Sequence, residues 1–177
     1  MDERHENEQY FFASQTLDHL ASFAASFARP CCICAPMVGQ RLARAGHPVR
    51  ILDIDDRFAD CAGFVHWDLQ RPTWLGEDYD LILCDPPFFN VSLSRLFTAL
   101  RTLAQHRFDQ RLLISYPTRR GDNLLSTFHR FGLQPTGYFP TYLTVKNADR
   151  NAIEFYGNLG DDLHQRLRQG DAGRAKP

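Results

Sequence analysis

The chain has 177 residues, 44% of them hydrophobic and 23% charged, with 20 basic against 21 acidic residues and a net charge of −1. This length suits one domain with a substantial core, and the near-zero charge disfavours long non-specific contact with duplex DNA, which needs a basic excess or stripe. No apolar run is long enough to span a bilayer and the charged start Met1–Gln9 lacks a signal-peptide core, so a cytoplasmic protein with no membrane partner is expected.

Met1–Gln9 is polar and expected to fray. Three consecutive aromatics, Tyr10, Phe11 and Phe12, then precede a helical pattern, either covering a ligand or stapling the helix. Leu17, Leu20, Ala21, Ala24 and Phe27 fall at helical spacing, Ser14 or Thr16 stands where a cap is needed, and Arg29-Pro30 ends the run. Cys31–Ala35 reads as the first buried strand, closed by Pro36, and Gln40–Ala45 as a short helix stopped by Gly46. Three of the five cysteines crowd at Cys31, Cys32 and Cys34, yet no paired CxxC and no histidine at ligand spacing accompanies them. They read as small buried hydrophobes, and no metal is expected.

Val49–Ile54 is the second strand, ending among Asp53, Asp55 and Asp56, and Phe64–Trp67 is a third that ends in Asp68. Tyr79–Asp85 is the fourth, with Leu81–Cys84 continuous rather than alternating, as in a strand buried on both faces. Ser92–His106 follows as an amphipathic helix with Leu93, Leu96, Phe97, Leu100 and Leu103 on one side. Arg111–Ser115 is the fifth strand, capped by Tyr116-Pro117, and Asn123–Phe131 a helix with Gly132 as its stop. Leu133–Tyr142 and Ala152–Tyr156 are the last strand candidates, around the polar loop Lys146–Asn151. A single domain over residues 1–160 is expected, with residues 161–177, charged and glycine-containing, as a disordered tail. Strands alternating with helices predict a parallel, doubly wound sheet, and the final pair, with no helix between them, an antiparallel hairpin.

In such sheets ligands bind at the carboxyl ends of the strands. The first strand leads into Cys34-Ala35-Pro36-Met37-Val38-Gly39, a turn where a cofactor must approach the backbone. The second ends in Asp53 and Asp55, and a carboxylate accepts from both hydroxyls of a ribose; the interval from Pro36 is near the roughly 20 residues of dinucleotide folds. Asp68, ending the third, suits an adenine amino group. At the fourth, in Asp85-Pro86-Pro87-Phe88, Asp85 and Pro86 each precede a proline and are held extended, and prolines without an N–H end the pairing, which leaves the Pro86 carbonyl for another donor. One carboxylate, one carbonyl and the faces of Phe88 and Phe89 suit a flat molecule carrying an –NH2 group. Each aspartate alone reads as a turn residue, and Pro-Pro-Phe-Phe alone as a rigid turn into the core. Four successive strand ends suited to one ligand and its acceptor favour a site. The single glycine of the first loop, Gly39, departs from G-x-G-x-x-G and speaks against a dinucleotide oxidoreductase.

Asp85-Pro86-Pro87-Phe88 resembles the D-P-P-[FY] signature of S-adenosylmethionine (SAM) dependent amino-group N-methyltransferases. From about Gln9 to Leu159 the chain is similar to the subgroup of zinc-knuckle ribosomal-RNA adenine-N6 methyltransferases and elongation-factor lysine methyltransferases. The likeness rests on Gln9-Tyr10-Phe11-Phe12 with Ser14, Cys34-Ala35-Pro36, Leu52–Asp55 with Arg57-Phe58, His66-Trp67-Asp68, Tyr116-Pro117 and Phe139–Tyr142. The zinc-binding modules of the RNA enzyme have no counterpart in this sequence.

The resemblance implies an α/β, Rossmann-like class I SAM-dependent methyltransferase fold: a mostly parallel seven-stranded sheet with an antiparallel final strand. It implies SAM as cofactor, held by Phe12, Ser14, Ala35, Pro36, Asp53, Asp55 and Asp68. Asp85, Pro86, Pro87 and Phe88 become the catalytic set, with Phe89 and Tyr116 against the substrate. The implied acceptor is adenine N6 in RNA, ribosomal RNA included. A protein lysine on a translation factor is the alternative, and a non-catalytic SAM-fold partner subunit a third reading; an activating partner subunit is also compatible. His66 reads as a satisfied strand residue, Arg119 and Arg120 as cations facing a phosphate or solvent, and Asn151 and Glu154 carry no assignment.

Overall fold

The computed structural model describes Glu3, residues 9–144 and residues 152–172. The Lys146–Asn151 loop and nearly all of Met1–Gln9 lie outside the described residues. Seven strands form where the apolar runs predict them, mostly a residue or two shorter: β1 (Pro30–Ile33), β2 (Arg50–Asp53), β3 (Phe64–His66), β4 (Leu81–Cys84), β5 (Leu112–Pro117), β6 (Gln134–Pro135) and β7 (Ile153–Gly157). They make one sheet in the order β3-β2-β1-β4-β5-β7-β6. The first five strands are parallel, and β7 runs antiparallel to both β5 and β6. The helices are α1 (Ser14–Ala24), α2 (Pro36–Arg44), α3 (Leu93–Leu103), α4 (Gly121–Thr127) and α5 (Asp161–Ala172). Strand order reverses between β1 and β4, which opens a crevice at their carboxyl ends.

Successive side chains of a strand point to opposite faces, and the core follows that alternation. Cys31, Ile33, Ile82, Cys84, Leu112 and Ile114 pack on the α3 and α4 side. Cys32, Leu81, Leu83 and Leu113 pack on the side of α1, α2 and α5. Asp85, one residue beyond Cys84, continues the second series, as does Ser115 after Ile114. Both polar groups therefore emerge on the face covered by α1, beside Phe12 and Tyr142.

Several expectations need correction. Ala13 is the N-cap of α1 and no side chain caps it; Ser14 Oγ accepts from Arg41, and Thr16 Oγ1 accepts from the Thr141 N–H at 3.0 Å. Gly39 is not in the first loop but inside α2, where a Cβ would meet Ile51 Cγ1 at 2.5 Å. Its role is close helix–strand packing. The region 133–142 is not one strand: after β6, Gly137 takes φ +75° and turns the chain out of the sheet. The helix expected at Asn123–Phe131 ends at Thr127 and tightens into a 3-10 turn over His129–Phe131.

Residues 161–172 are not a disordered tail but helix α5. Leu167 is fully buried there, its carbonyl meets His19 Nε2 at 2.6 Å, and Arg168 donates to the Thr136 carbonyl at 2.8 Å. High local charge hid an apolar stripe of two leucines, Leu163 and Leu167, one helical turn apart. No helix among the described residues is long and apolar enough to cross a membrane.

Candidate active site

A cleft opens where β1, β2 and β4 end. Its walls come from Gln9–Phe12, the Cys34–Val38 turn, Asp53–Asp55, Asp85–Phe88 and Tyr142. The first turn is sharp because Cys34 adopts a left-handed φ of +52°, which costs a non-glycine residue about 1 kcal/mol or more. The strain lets α2 begin at once at Pro36. Ala35 is buried, yet among the described residues no acceptor takes its backbone N–H. Such an orphan donor is rare and calls for a partner from outside the chain.

Asp53 ends β2 inside the cleft and is 6% exposed. Burial pushes its carboxyl up to about 6, against the pull of the Asp55 and Ile54 N–H groups. Asp55 behaves oppositely. Burial pushes it up, but the guanidinium of Arg57 and the Gln9 amide outweigh that and hold it down at about 2. Arg57 Nη2 lies 2.6 Å from Asp55 Oδ2 and 2.7 Å from Gln9 Oε1, while Gln9 Nε2 donates to Asp55 Oδ2 at 2.9 Å. This carboxylate is therefore spent on pinning the segment that carries Tyr10, Phe11 and Phe12.

That segment crosses the cleft as a strap. The Ala13 N–H donates to the Thr141 carbonyl at 2.8 Å and the Leu143 N–H to the Phe11 carbonyl at 2.9 Å. Phe12 forms a β-bridge with Tyr142, the two rings 4.8 Å apart. Phe11 and Phe12 are buried, and Phe12 belongs to the same core cluster as Leu17 of α1.

Asp85 stands at the head of the crevice. Its Oδ1 accepts from both the Ser115 hydroxyl and the Tyr142 hydroxyl, the latter at 2.8 Å. No donor among the described residues reaches Oδ2 or the Pro86 carbonyl. Burial pushes the Asp85 carboxyl up to about 7, even though the two hydroxyls pull it down. Beyond it, Phe88 meets Tyr116 edge-on at 5.8 Å, and Arg120 donates to the Phe88 carbonyl at 2.9 Å while lying 5.4 Å over the Tyr116 ring.

Of the residues singled out from sequence, Phe12, Ala35, Pro36, Asp53, Asp55 and Asp85–Phe88 converge on the cleft. Ser14 and Asp68 lie outside its lining; the Asp68 carboxylate closes a turn by accepting from the Gln70 N–H at 2.8 Å. Tyr116 is buried beneath Phe88, and Phe89 is exposed outside the cleft. His66 pairs with Asp56 at 2.7 Å on the surface. Glu154 accepts from the Gly137 N–H at 2.8 Å. Sequence reasoning missed Ser115 and the role of Tyr142. A lone polar residue in the buried run Leu112–Tyr116 was the one signal for Ser115; nothing in sequence pairs Tyr142 with Asp85, 57 residues away.

A family model described as probable N6-adenine methyltransferase matches residues 3–159, nearly all of this fold. The chain belongs to that family. No curated protein matches this methyltransferase family member. Among solved structures it is similar to magnesium protoporphyrin IX methyltransferase from Synechocystis with bound SAM, at 16% identity and a TM-score of 0.56, over 81% of this chain and 77% of that one. A Pyrococcus horikoshii protein assigned, provisionally, as an RNA methyltransferase matches at 14% identity and a TM-score of 0.55, over 88% of both chains. A TehB-like SAM-dependent methyltransferase from Corynebacterium glutamicum gives 18% identity and a TM-score of 0.53, over 81% of this chain and 86% of that one. At these identities the likeness is one of fold: the class I architecture of SAM-dependent methyltransferases. Among the described residues no three His, Cys, Asp or Glu side chains gather to hold a metal.

Proposed function

We propose that this family member methylates the exocyclic amino group of adenine in RNA, using SAM as donor. The observation that carries this reading is the division of labour at Asp85. Ser115 and Tyr142 occupy Oδ1, while Oδ2 and the Pro86 carbonyl accept nothing from the described chain. Two acceptors a residue apart at the cleft wall match the two N–H bonds of an amine. Phe88 and Phe89 suit a flat ring, and Arg119 and Arg120 beside them suit a polyanion better than the cationic lysine side chain.

The cleft fits SAM by the chemistry of its groups. The buried Asp53 carboxylate suits a ribose diol, the orphan Ala35 N–H calls for an acceptor, and Phe12, Ala35 and Pro36 supply apolar surface. When bound, SAM supplies an electrophilic methyl carried on a sulfonium. Asp55 acts at one remove, through Arg57 and Gln9 on the strap.

The lone pair of adenine N6 is delocalised into the ring, which makes the amine a poor nucleophile. By accepting both N–H bonds, Asp85 Oδ2 and the Pro86 carbonyl turn that lone pair out of the ring and aim it at the donor, and this positioning supplies much of the acceleration. Phe88 stacks on the base, a contact of about 1–3 kcal/mol, with Tyr116 bracing its edge. In a paired region the base must first leave the stack. Transfer would exchange the S–CH3 bond of the sulfonium, which leaves as a neutral thioether, for the new C–N bond, and the proton that N6 must then shed would be held at Oδ2 of ionised Asp85.

Labelled SAM incubated with the purified protein and cell extract, fractionated into RNA, DNA and protein, tests the reading. N6-methyladenosine in digested RNA is the expected product. Label appearing as methyl-lysine would transfer the activity to a protein acceptor, and SAM binding without any label would make this a non-catalytic member.

A further inference from the structure

The surface beside the Asp85–Phe88 loop carries a feature that methyl transfer itself does not use. Four arginines lie on the segments that meet the loop, Arg71 next to Gln70 together with Arg95, Arg119 and Arg120, and among the described residues none has a carboxylate within ion-pair distance. Arg95 Nη1 donates to the Gln70 carbonyl at 3.2 Å, and Gln70 Nε2 donates to the Asn90 carbonyl at 3.0 Å, which ties Arg95 and the segment that carries Arg71 to the loop. Arg119 lies 5.8 Å from the centroid of the Phe89 ring, and Arg120 holds the Phe88 carbonyl. Phe89 itself is 68% exposed, the most exposed large apolar side chain described.

A chain of net charge −1 that sets four arginines without an ion-pair partner on the segments meeting one loop, with an exposed aromatic on it, is not displaying an average surface. Aromatic faces flanked by cations are what single-stranded nucleic acid requires, because every base has a face to stack and every step a phosphate to neutralise. Arg71 and Arg95 belong to the segments that reach Asn90 through Gln70, and Arg119 and Arg120 to the segment that meets Phe88 and Phe89. A strand can therefore cross the loop with its backbone touching both pairs while one base lies on the Phe89 ring.

We infer that Phe89, with Arg71, Arg95, Arg119 and Arg120, is a docking platform for the single-stranded RNA next to the target adenine, Phe89 stacking the neighbouring base. The inference rests on the reading of RNA as substrate and adds the surface that holds it. It separates two jobs that the sequence runs together. Phe88, braced inside by Tyr116, serves the target base, and Phe89, outside the cleft, serves its neighbour. Arg120 takes part in both through the Phe88 carbonyl.

The test is fluorescence anisotropy of an unstructured adenine-containing RNA of roughly 12 nucleotides, titrated from about 50 to 200 mM salt, alongside methyl transfer to the same RNA. Phe89→Ala is expected to weaken binding roughly 5- to 100-fold with SAM affinity unchanged. Arg71→Gln with Arg95→Gln is expected to lower the slope of log affinity against log salt by about 1.4, or roughly 0.7 for each phosphate no longer neutralised. Arg119→Lys, which keeps the charge, should preserve the slope, whereas Arg119→Gln should not. Control changes at Arg29 and Arg111, away from the loop, should leave binding as it is. If the wild-type protein binds and methylates the RNA while the platform variants match it in affinity and slope, the platform is wrong and the RNA reading stands. If the wild-type protein neither binds nor methylates RNA and labels protein instead, both fall.

Discussion

The Tyr142 hydroxyl donates to Asp85 Oδ1 at 2.8 Å, joining the Asp85–Phe88 loop after β4 to the segment that pairs with the strap at Phe12. One residue therefore touches both halves of the cleft: its backbone bridges the strap at Phe12, and its hydroxyl fixes the Asp85 carboxylate. Together with Ser115 it occupies Oδ1 and sets the rotation of the carboxylate about its axis, and so decides where Oδ2 points.

Removing either hydroxyl should disturb the carboxylate without emptying the cleft. Tyr142→Phe and Ser115→Ala each delete a hydrogen bond that pulls the Asp85 carboxyl down from where burial drives it. With Asp85 acting ionised, the acidic limb of kcat/KM is expected near pH 7 in the wild type and at higher pH in both variants, with a loss of roughly 10-fold at neutral pH and little change in SAM affinity. Superimposable pH profiles for wild type and variants would remove these two hydroxyls from the mechanism.

Asp85→Asn should trade activity for stability. The folded carboxyl stands at about 7, above its ordinary unfolded value near 3.8, so the folded state holds the proton more tightly. Stability from this group is therefore greatest in acid, declines as pH rises from about 4 to about 7, and stays low above that. The neutral amide lacks this dependence. Its melting temperature relative to wild type should rise between pH 5 and pH 8, while turnover falls roughly 100- to 1000-fold. A stability difference that does not vary with pH would show that Asp85 is not held protonated by burial.

Arg57→Ala should unfasten the strap. Asp55 is held at about 2, so its contribution to stability is complete above the unfolded value near 3.8 and disappears as pH falls through 2. Without Arg57 the buried carboxylate is left without its cation, at a cost of about 3 kcal/mol near neutral pH. The wild-type and variant stability curves should converge in acid. SAM affinity should drop as well, because Gln9 loses one of its two anchors over the cleft and keeps only Asp55, and calorimetry on both proteins would measure it. Unchanged affinity would mean that the strap does not cover the donor.

Gly39→Ala should destabilise by about 1–3 kcal/mol, because the new methyl meets Ile51 Cγ1 at 2.5 Å and Cδ1 at 2.9 Å across the α2–β2 contact. Ile51→Val, which removes Cδ1, should recover part of the loss in a double-mutant cycle of thermal melts. Strict additivity of the two changes would locate the fault elsewhere.

Most of the fold is legible because buried parallel strands are continuous apolar runs. Cys31–Ile33, Leu81–Cys84 and Leu112–Ile114 stand out against charged surroundings. Region 133–142 reads as a strand for a physical reason: its apolar residues serve loop packing instead, with Tyr138 and Tyr142 buried against the α1 side of the core. Helix α5 escapes a sequence reading because two leucines among charges suffice once α1 offers a face to meet them. At the site, Asp53 and Asp85 follow from their positions at strand ends. The difference between Asp53 and Asp55 does not, since it depends on Gln9 and Arg57 reaching one of them.

What the sequence by itself determined is the set of groups at the ends of the strands: Asp53, Asp85, the Pro86 carbonyl and Phe88 are fixed by local rules of strand, proline and turn, which act within a few residues. What only the tertiary structure decided is how those groups are charged and aimed. The 2.8 Å contact from Tyr142 to Asp85, the burial that holds Asp85 near 7 and the clasp of Gln9 and Arg57 on Asp55 join residues up to 57 positions apart. Hydrogen bonds and desolvation act through space, and distance in space between such residues exists only once the sheet has brought β2, β4 and β5 together.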